Sequence, residues 1–386
     1  MSATRSLTLG AAVLAAAALL AYAFWPRALP DSTEAADPVP EIPNVVRAET
    51  PEPVPTEFPA AELRSALTDA CSNAATEAPD EELTAEERQA LLEAYNEREQ
   101  RLLEILSASP IAEHLHVAAL LVDDPVSRFE LLDAAIARSP GDPFLLWDAV
   151  RMCTDSIEAA PCPLRKWERL LIAADGQNSE AWIRIAANRY ADGDNEAALD
   201  AMRHASTAAE TRAYWTETIE IIERGYAAGS DFSFPERAST AFAFAGAKLP
   251  RYRDYFRMCD ERSANSADWA YACLAYGELV ENQGKSSMGV SIARSIQTVV
   301  LKALAEADKA AEVQRRAEAE RQVWLRSYED GDLAEEMLIL LDPTLFHAYL
   351  AAIRAEGEVA ARRKLNIEIK RLLAQQPELG CPWEHM

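Results

Sequence analysis

The chain has 386 residues, of which 49% are hydrophobic and only 13 are glycine. This glycine-poor composition favours helix over sheet, and the length is enough for one large domain or two ordinary ones. The formal net charge is −25 at pH 7. Because a strongly negative surface repels phosphate groups, the charge argues against nucleic acid as a partner.

The first predicted element is a membrane-directing segment within residues 1–25. Residues 6–25 carry no charge and follow Arg5, and a stretch of this length is just enough to span a bilayer as a helix. An Ala-Tyr-Ala motif ending at Ala23 also matches a signal-peptidase site, so anchoring and cleavage both stay open. In either case we expect the rest of the chain in the periplasm of a cell envelope, anchored to the inner membrane or released from it.

A proline-rich linker is predicted over residues 26–59, which hold nearly half of the chain's 21 prolines. Asp, Glu, Ala and Val fill most of the remaining positions. Such a composition cannot pack a core and favours extended, semi-rigid conformations. We therefore expect a disordered spacer that holds the following domain, residues 60–386, away from the membrane.

Helical patterns begin near residue 60 and continue to Gln375. Thr84 and Glu87 form a capping box before an apolar stripe that ends at Pro110. Short connections between the later helices place consecutive helices antiparallel, and residues 301–325 are predicted to form one long charged helix. No alternating strand pattern of useful length is present. The expected fold class is all-α, built from antiparallel helix pairs.

The clearest unit lies at about residues 179–212. Its key residues are spaced for two helices around a turn, and its small residues let those helices approach closely. The unit resembles the tetratricopeptide repeat, a 34-residue helix–turn–helix motif, although Ile185-Ala186 stands where the family has Leu-Gly. The positions that carry the resemblance are Trp182, Ala186, Tyr190, Gly193, Ala198 and Ala205.

Weaker echoes of this unit occur over about 130–260 and 315–375, with a break between Gly225 and Pro250. The resemblance therefore implies a superhelix of degenerate tetratricopeptide-like pairs. In that family the first helix of each pair presents binding residues to a concave face, and Trp182 corresponds to a packing position. By this resemblance the partner-binding residues are expected to be Ile183, Ala187 and Tyr190.

Six cysteines are present, and an even number in an exported chain is typical of disulfides. Two pairs are close in sequence and suit bridges between neighbouring helices, which leaves the first and last cysteines to join the two ends. Buried reduced thiols are the alternative. No pair has the Cys-x-x-Cys spacing of a zinc site. The candidate pairs are Cys153–Cys162, Cys259–Cys273 and Cys71–Cys381.

Motifs for catalysis, metals and cofactors are missing from the sequence. It contains no His-Glu-x-x-His, no Gly-x-Ser-x-Gly and no glycine-rich phosphate loop. Residues 192–196 offer oxygens at alternate positions, but an EF-hand needs Gly and Glu where Ala197 and Arg203 stand. His114 and His116 point away from each other on a predicted helix, so we expect surface or capping roles for both. We expect no metal and no cofactor.

These observations favour a non-catalytic, membrane-tethered scaffold that binds a protein or peptide partner. Lytic transglycosylases, which also place helical superhelices in the envelope, resemble this chain in composition, but the Glu-Ser dipeptide of their catalytic acid is absent. One alternative is a helical envelope enzyme acting on cell-wall glycan or peptide, which needs a cleft holding a buried carboxylate with a raised pKa. The other is a purely structural envelope protein.

Overall fold

The structure, a computed structural model, covers most of the domain that follows the linker. It describes residues 58–76, 84–155, 162–247, 251–329 and 338–376. The predicted membrane-directing segment 1–25 and nearly all of the linker 26–59 lie outside these ranges. Within the ranges, no helix combines the length and the apolar character needed to cross a bilayer.

The described chain is helical and contains no β-strand, so the expected all-α class is confirmed. A single 3₁₀ turn, Leu338–Leu340, stands among the α-helices of this part of the chain. The helices are α1 Ala60–Thr76, α2 Ala85–Ser107, α3 Ala112–Leu121, α4 Pro125–Arg138, α5 Pro143–Asp155, α6 Leu164–Asp175, α7 Ser179–Ala191, α8 Asn195–Thr207, α9 Trp215–Gly229, α10 Phe234–Ala247, α11 Tyr252–Ser263, α12 Ala267–Gln283, α13 Ser287–Ala303, α14 Ala307–Glu329, α15 Pro343–Glu356 and α16 Glu358–Gln375.

Helix ends follow the local signals in the sequence. The Thr84 hydroxyl accepts a hydrogen bond from the Glu87 N–H at 3.2 Å, and the Glu87 carboxylate accepts one from the Thr84 N–H at 3.0 Å. This reciprocal pairing is the predicted capping box, and it starts α2. Gln375 ends α16 as predicted.

The long charged helix predicted over 301–325 is confirmed from Ala307 onward as α14, but its predicted start is wrong, because the chain turns between α13 and α14. Ala305 adopts a left-handed conformation with φ 60°, and the Glu306 N–H donates to the Leu301 carbonyl at 2.8 Å. This pattern closes a helix C-terminus in the manner of a Schellman motif. Such turns usually carry glycine, and its absence here removed the signal from the sequence.

Neighbouring helices pack in pairs, notably α3 with α4, α5 with α6, α7 with α8, α9 with α10 and α12 with α13. Their short connections make these pairs antiparallel. The order then changes, since α8 packs on α12 while α9 returns to pack on α2 and α3. The chain thus leaves its first core after α6 and comes back to it at α9.

Two large hydrophobic clusters hold most of the described helices together, and a small third one packs α14 against α13. The larger one joins α1–α6, α9, α10, α15 and α16 around side chains such as Trp147, Trp167 and Phe346. The second joins α7, α8, α11, α12 and α13 and includes Met202 and Trp269. Helix α9 of the larger cluster and helices α7 and α12 of the second cluster come together at one surface.

Two of the three predicted disulfides are present. Cys153 is bonded to Cys162 with a Cα–Cα distance of 5.7 Å, and Cys259 is bonded to Cys273 at 5.8 Å. Buried reduced thiols are therefore wrong for these four residues. The Cys71 side chain and Cys381 lie outside the described part of the structure, so their pairing stays a prediction.

Candidate functional site

A cleft of about 500 Å³ opens where the ends of several helices meet. The N-termini of α9, α11 and α13 border it, together with the C-termini of α12 and α15 and the loop 208–214. Its volume falls within the range of ordinary ligand-binding pockets. Residues that matter for its chemistry are Glu180, Tyr214, Trp215, Tyr252, Gln283 and Lys285.

The loop that forms one wall of the cleft is fixed by the turn before α7. Asn178 is fully buried, and its Oδ1 accepts from the N–H groups of Arg212 at 2.9 Å and Glu180 at 3.1 Å. Its Nδ2 donates to the Arg212 carbonyl at 2.9 Å and to Asp175 at 2.7 Å. The Ser179 N–H adds a bond to the Glu210 carbonyl. The wall is therefore positioned by buried polar contacts, which hold it firmly.

Tyr214 turns the chain from this loop into α9. It has a left-handed backbone with φ 55° and precedes the helix without a side-chain cap. Its hydroxyl donates to Asp175 Oδ2 at 2.6 Å and accepts from Arg212 at 3.0 Å. Burial, with the nearby Asp175 carboxylate, raises the pKa of Tyr214 well above its usual value. A non-glycine residue in this conformation is held by its surroundings, as occurs at many binding sites.

Glu180 forms the floor of the cleft and is only 2% exposed. Its Oε1 accepts from the Tyr276 hydroxyl at 3.1 Å, whereas its Oε2 has no hydrogen-bond partner among the described residues. Burial raises the pKa of this carboxyl, opposed by the charge of Arg184 and the bond from Tyr276. Arg184 lies one turn later, with its guanidinium 4.4 Å from the centre of the Trp147 ring.

The three basic residues that line the cleft already have acceptors. Arg212 contacts Asp175 at 3.3 Å, and Arg354 contacts Glu220 at 2.5 Å. Lys285 donates to the Ala355 carbonyl at 2.9 Å. Their charges are therefore partly satisfied within the protein, in contrast to Glu180 Oε2.

The residues expected to bind a partner lie elsewhere. Ile183 is fully buried in the second cluster, so its side chain is not accessible and the expectation does not hold for it. Ala187 is partly buried against the same cluster. Tyr190 is partly buried as well, and its hydroxyl donates to the Glu261 carboxylate, with burial raising its pKa to about 12. The reason is that α11 packs on α7 and covers the face that the repeat comparison left open.

The residues of the repeat-like unit occupy the α7–α8 pair. Ala186, Ala198 and Ala205 are fully buried, which fits close approach of the two helices. Gly193 forms the turn with φ 79°. Trp182 donates its indole N–H to the Gly176 carbonyl at 2.9 Å and stacks on a histidine side chain of α8.

His116 does not have the surface or capping role expected from the sequence. It is buried, and its Nε2 lies 2.9 Å from Asp148, which also accepts from Arg151 at 2.7 Å. Although burial alone would raise it, the pKa of Asp148 is held well below its usual value by Arg151 and His116. The described residues contain no group of three His, Cys, Asp or Glu side chains arranged to hold a metal.

Comparison with known proteins adds no assignment for this cleft. The chain matches no protein-family model, no curated protein and no solved structure.

Proposed function

We propose that the protein is a non-catalytic, membrane-tethered scaffold of the cell envelope that binds a protein partner in the cleft. The observation that carries the proposal is the cleft itself, which is lined by Glu180, a buried carboxyl with one oxygen that has no hydrogen-bond partner among the described residues. Buried polar atoms are normally hydrogen-bonded, and a bound segment is one way to satisfy this oxygen. The tether is the apolar segment 6–25 of the sequence.

A tetratricopeptide-like description of the middle of the chain is part of this proposal. The first helices α5, α7 and α9 begin at Pro143, Ser179 and Trp215, at an equal spacing close to the 34-residue unit. After α8 the series is interrupted, because α9 packs back on α2 and α3. We therefore propose a short array of such pairs instead of an uninterrupted superhelix. The cleft then lies where the array ends.

Affinity capture from crosslinked membranes tests the scaffold proposal. The full-length tagged chain is compared with Gln283→Trp, which places a bulky side chain at an exposed position of the cleft. The matched control is Gln314→Trp, at an exposed position of α14 that does not line the cleft. Because both positions are exposed, neither substitution forces a tryptophan side chain into the protein core.

We expect a small set of proteins captured by the wild type and by Gln314→Trp, and reduced at least about tenfold with Gln283→Trp, because the bulky side chain occupies the binding space. Equal capture by all three chains would remove the cleft from the proposal. No specific capture by any chain would argue against a scaffold.

A helical enzyme is a second candidate because one observation favours it. The enzyme alternative requires a buried carboxyl with a raised pKa in a cleft, and Glu180 has these properties. Incubation of cell-wall fragments with the wild type and with Glu180→Gln tests it by mass spectrometry of the products. Turnover by the wild type that is lost in the variant would establish the enzyme, and identical product profiles would exclude it for these substrates.

A further inference from the structure

We propose that the floor of the cleft binds a cationic nitrogen of the partner, with an N–H donor directed at Glu180 Oε2. This inference rests on the proposed function and names the chemistry that the site recognises. The group is the ammonium or guanidinium of a lysine or arginine side chain, or the free amine of a chain terminus.

The carboxyl of Glu180 needs a donor that the protein does not supply. Glu180 lines the cleft, and its Oε1 is held by Tyr276, while its Oε2 is buried and has no hydrogen-bond partner in the described structure. An unpaired buried acceptor is energetically unfavourable, because it loses its hydrogen bonds to water without a replacement. A ligand that donates to this atom recovers that cost, so the strongest recognition in the cleft is expected there.

A cationic donor suits this site better than a neutral one. Trp215 and Tyr252 line the cleft, and aromatic faces attract cations, as the Arg212 guanidinium 4.6 Å from the Tyr214 ring centre shows within the protein itself. The C-termini of α12 and α15 border the cleft with partial negative charge, but the N-termini of α9, α11 and α13 border it with partial positive charge, so the helix dipoles do not decide the sign of the ligand. The net charge of −25 adds a field that draws cations toward the protein.

The positive groups around the cleft do not oppose this assignment. Arg212 and Arg354 are held by carboxylates, and Lys285 is bonded to a carbonyl at the end of α15. Arg184, the cation nearest in sequence to Glu180, lowers the pKa of that carboxyl by its charge, but it does not line the cleft, lies over the Trp147 ring and makes no hydrogen bond to Glu180 Oε2. The N-terminus of α13 already has the Glu358 carboxylate as the acceptor of its Ser287 N–H.

Calorimetric titration of the full-length protein in detergent micelles tests the inference. The probes are acetyl-Ala-Lys-Ala-amide and its norleucine counterpart, which has the same aliphatic length without the charge. The variant is Glu180→Gln, and the matched control is Glu168→Gln. Glu168 is as buried as Glu180, but it does not line the cleft and is bonded to Asn188 and Arg189.

We expect the lysine peptide to bind at least about tenfold more tightly than the norleucine peptide, because a desolvated charge pair is broken when one partner is removed. Glu180→Gln should remove this preference, and Glu168→Gln should keep it. Equal binding of the two peptides to the wild type, together with no binding of an arginine peptide or of a free amine, would overturn the inference. An undiminished preference in a folded Glu180→Gln protein would overturn it as well.

Two additions keep the test decisive. If Glu180→Gln does not fold, the wild-type comparison of the cationic probes with the norleucine peptide decides alone. A blocked arginine peptide and unblocked Ala-Ala-Ala-amide then identify the source of the nitrogen, since only the latter presents a free amine. Tight binding of any one of these cationic probes supports the inference, and binding of none overturns it.

Failure of this inference can be told apart from failure of the scaffold proposal. Protein capture that depends on Gln283 without binding of any of the cationic probes leaves the scaffold and removes the cation site. A lysine preference that depends on Glu180 without any captured protein leaves the cation site and removes the scaffold.

Discussion

Asn178 is hydrogen-bonded to both backbone groups of Arg212, although the two residues lie in different turns. Its Oδ1 accepts from the Arg212 N–H and its Nδ2 donates to the Arg212 carbonyl, each at 2.9 Å. The Asn178 side-chain amide thus satisfies both backbone groups of Arg212, as the backbone of a neighbouring β-strand would. Arg212 lies in the loop that forms one wall of the cleft. The turn before α7 therefore sets the position of the loop before α9.

Asn178→Ala should destabilise the fold by about 2–4 kcal/mol, since several buried hydrogen bonds lose their partner. Urea denaturation followed by circular dichroism measures the change. Asn195→Ala is the control, because Asn195 is exposed and its side chain bonds only the Gly193 carbonyl; it should cost no more than about 0.5 kcal/mol. Equal effects of the two substitutions would contradict the structural role of Asn178.

Gly225→Ala tests the return of α9 onto α3. A Cβ at Gly225 would lie 2.7 Å from Val117 Cγ1, whereas one at Gly246 would meet nothing within 4 Å. Overpacking of this kind costs about 1–3 kcal/mol, so Gly225→Ala should destabilise and Gly246→Ala should not. Val117→Ala combined with Gly225→Ala should be less unstable than the sum of the single changes. Simple additivity in chemical denaturation would place α9 elsewhere.

The Cys259–Cys273 bridge should stabilise the second cluster. It closes a loop between residues 14 apart, and the chain-entropy account gives about 3 kcal/mol for a loop of this size. Replacing both cysteines by alanine should lower the free energy of unfolding by that order. Full stability of the double variant would show that α11 and α12 are held by packing alone.

Peptide mapping under non-reducing conditions tests the pairing that the described residues leave open. The Cys71–Cys381 bridge predicts a disulfide-linked pair of peptides from the two ends of the domain. Alkylation of both thiols without prior reduction would contradict it.

Glu281 should make stability depend on pH in the acid range. Burial raises its pKa, but hydrogen bonds from Arg316, Arg294 and Gln297 outweigh burial and lower the pKa from 4.5 to about 2. The folded carboxylate therefore contributes stability above pH 4.5 that is lost as the pH falls toward 2. Glu281→Gln should cost about 2 kcal/mol at pH 7 and less than half of that at pH 3. The same cost at both pH values would contradict this role.

The sequence predicted the features that depend on local chemistry. Thr84 and Glu87 lie three residues apart, and the two bridges join cysteines close in the chain, so their partners could be found within one window. Gly193 marked the α7–α8 turn for the same reason. The break at Ala305 was missed because alanine carries no signal for a left-handed turn.

The cleft could not be predicted, because its parts come from distant stretches of the chain. Glu180 and Tyr276 are 96 residues apart, and Arg354 reaches the site from a helix near the end of the described chain. Ile183 was assigned to a binding face that α11 covers, and such coverage depends on tertiary packing. His116 was missed for a related reason, since its partner Asp148 belongs to another helix.

Site-specific photo-crosslinking tests most directly whether the cleft is the partner-binding site. A compact aliphatic diazirine amino acid, which unlike tryptophan is close to glutamine in size, is placed at position 283, in the cleft, or at position 314, outside it, in the full-length chain in native membranes. We predict a discrete crosslinked protein from position 283 that is absent from position 314 and is lost when Glu180→Gln is added. The same adducts from both positions, or no adduct from position 283, would contradict the account.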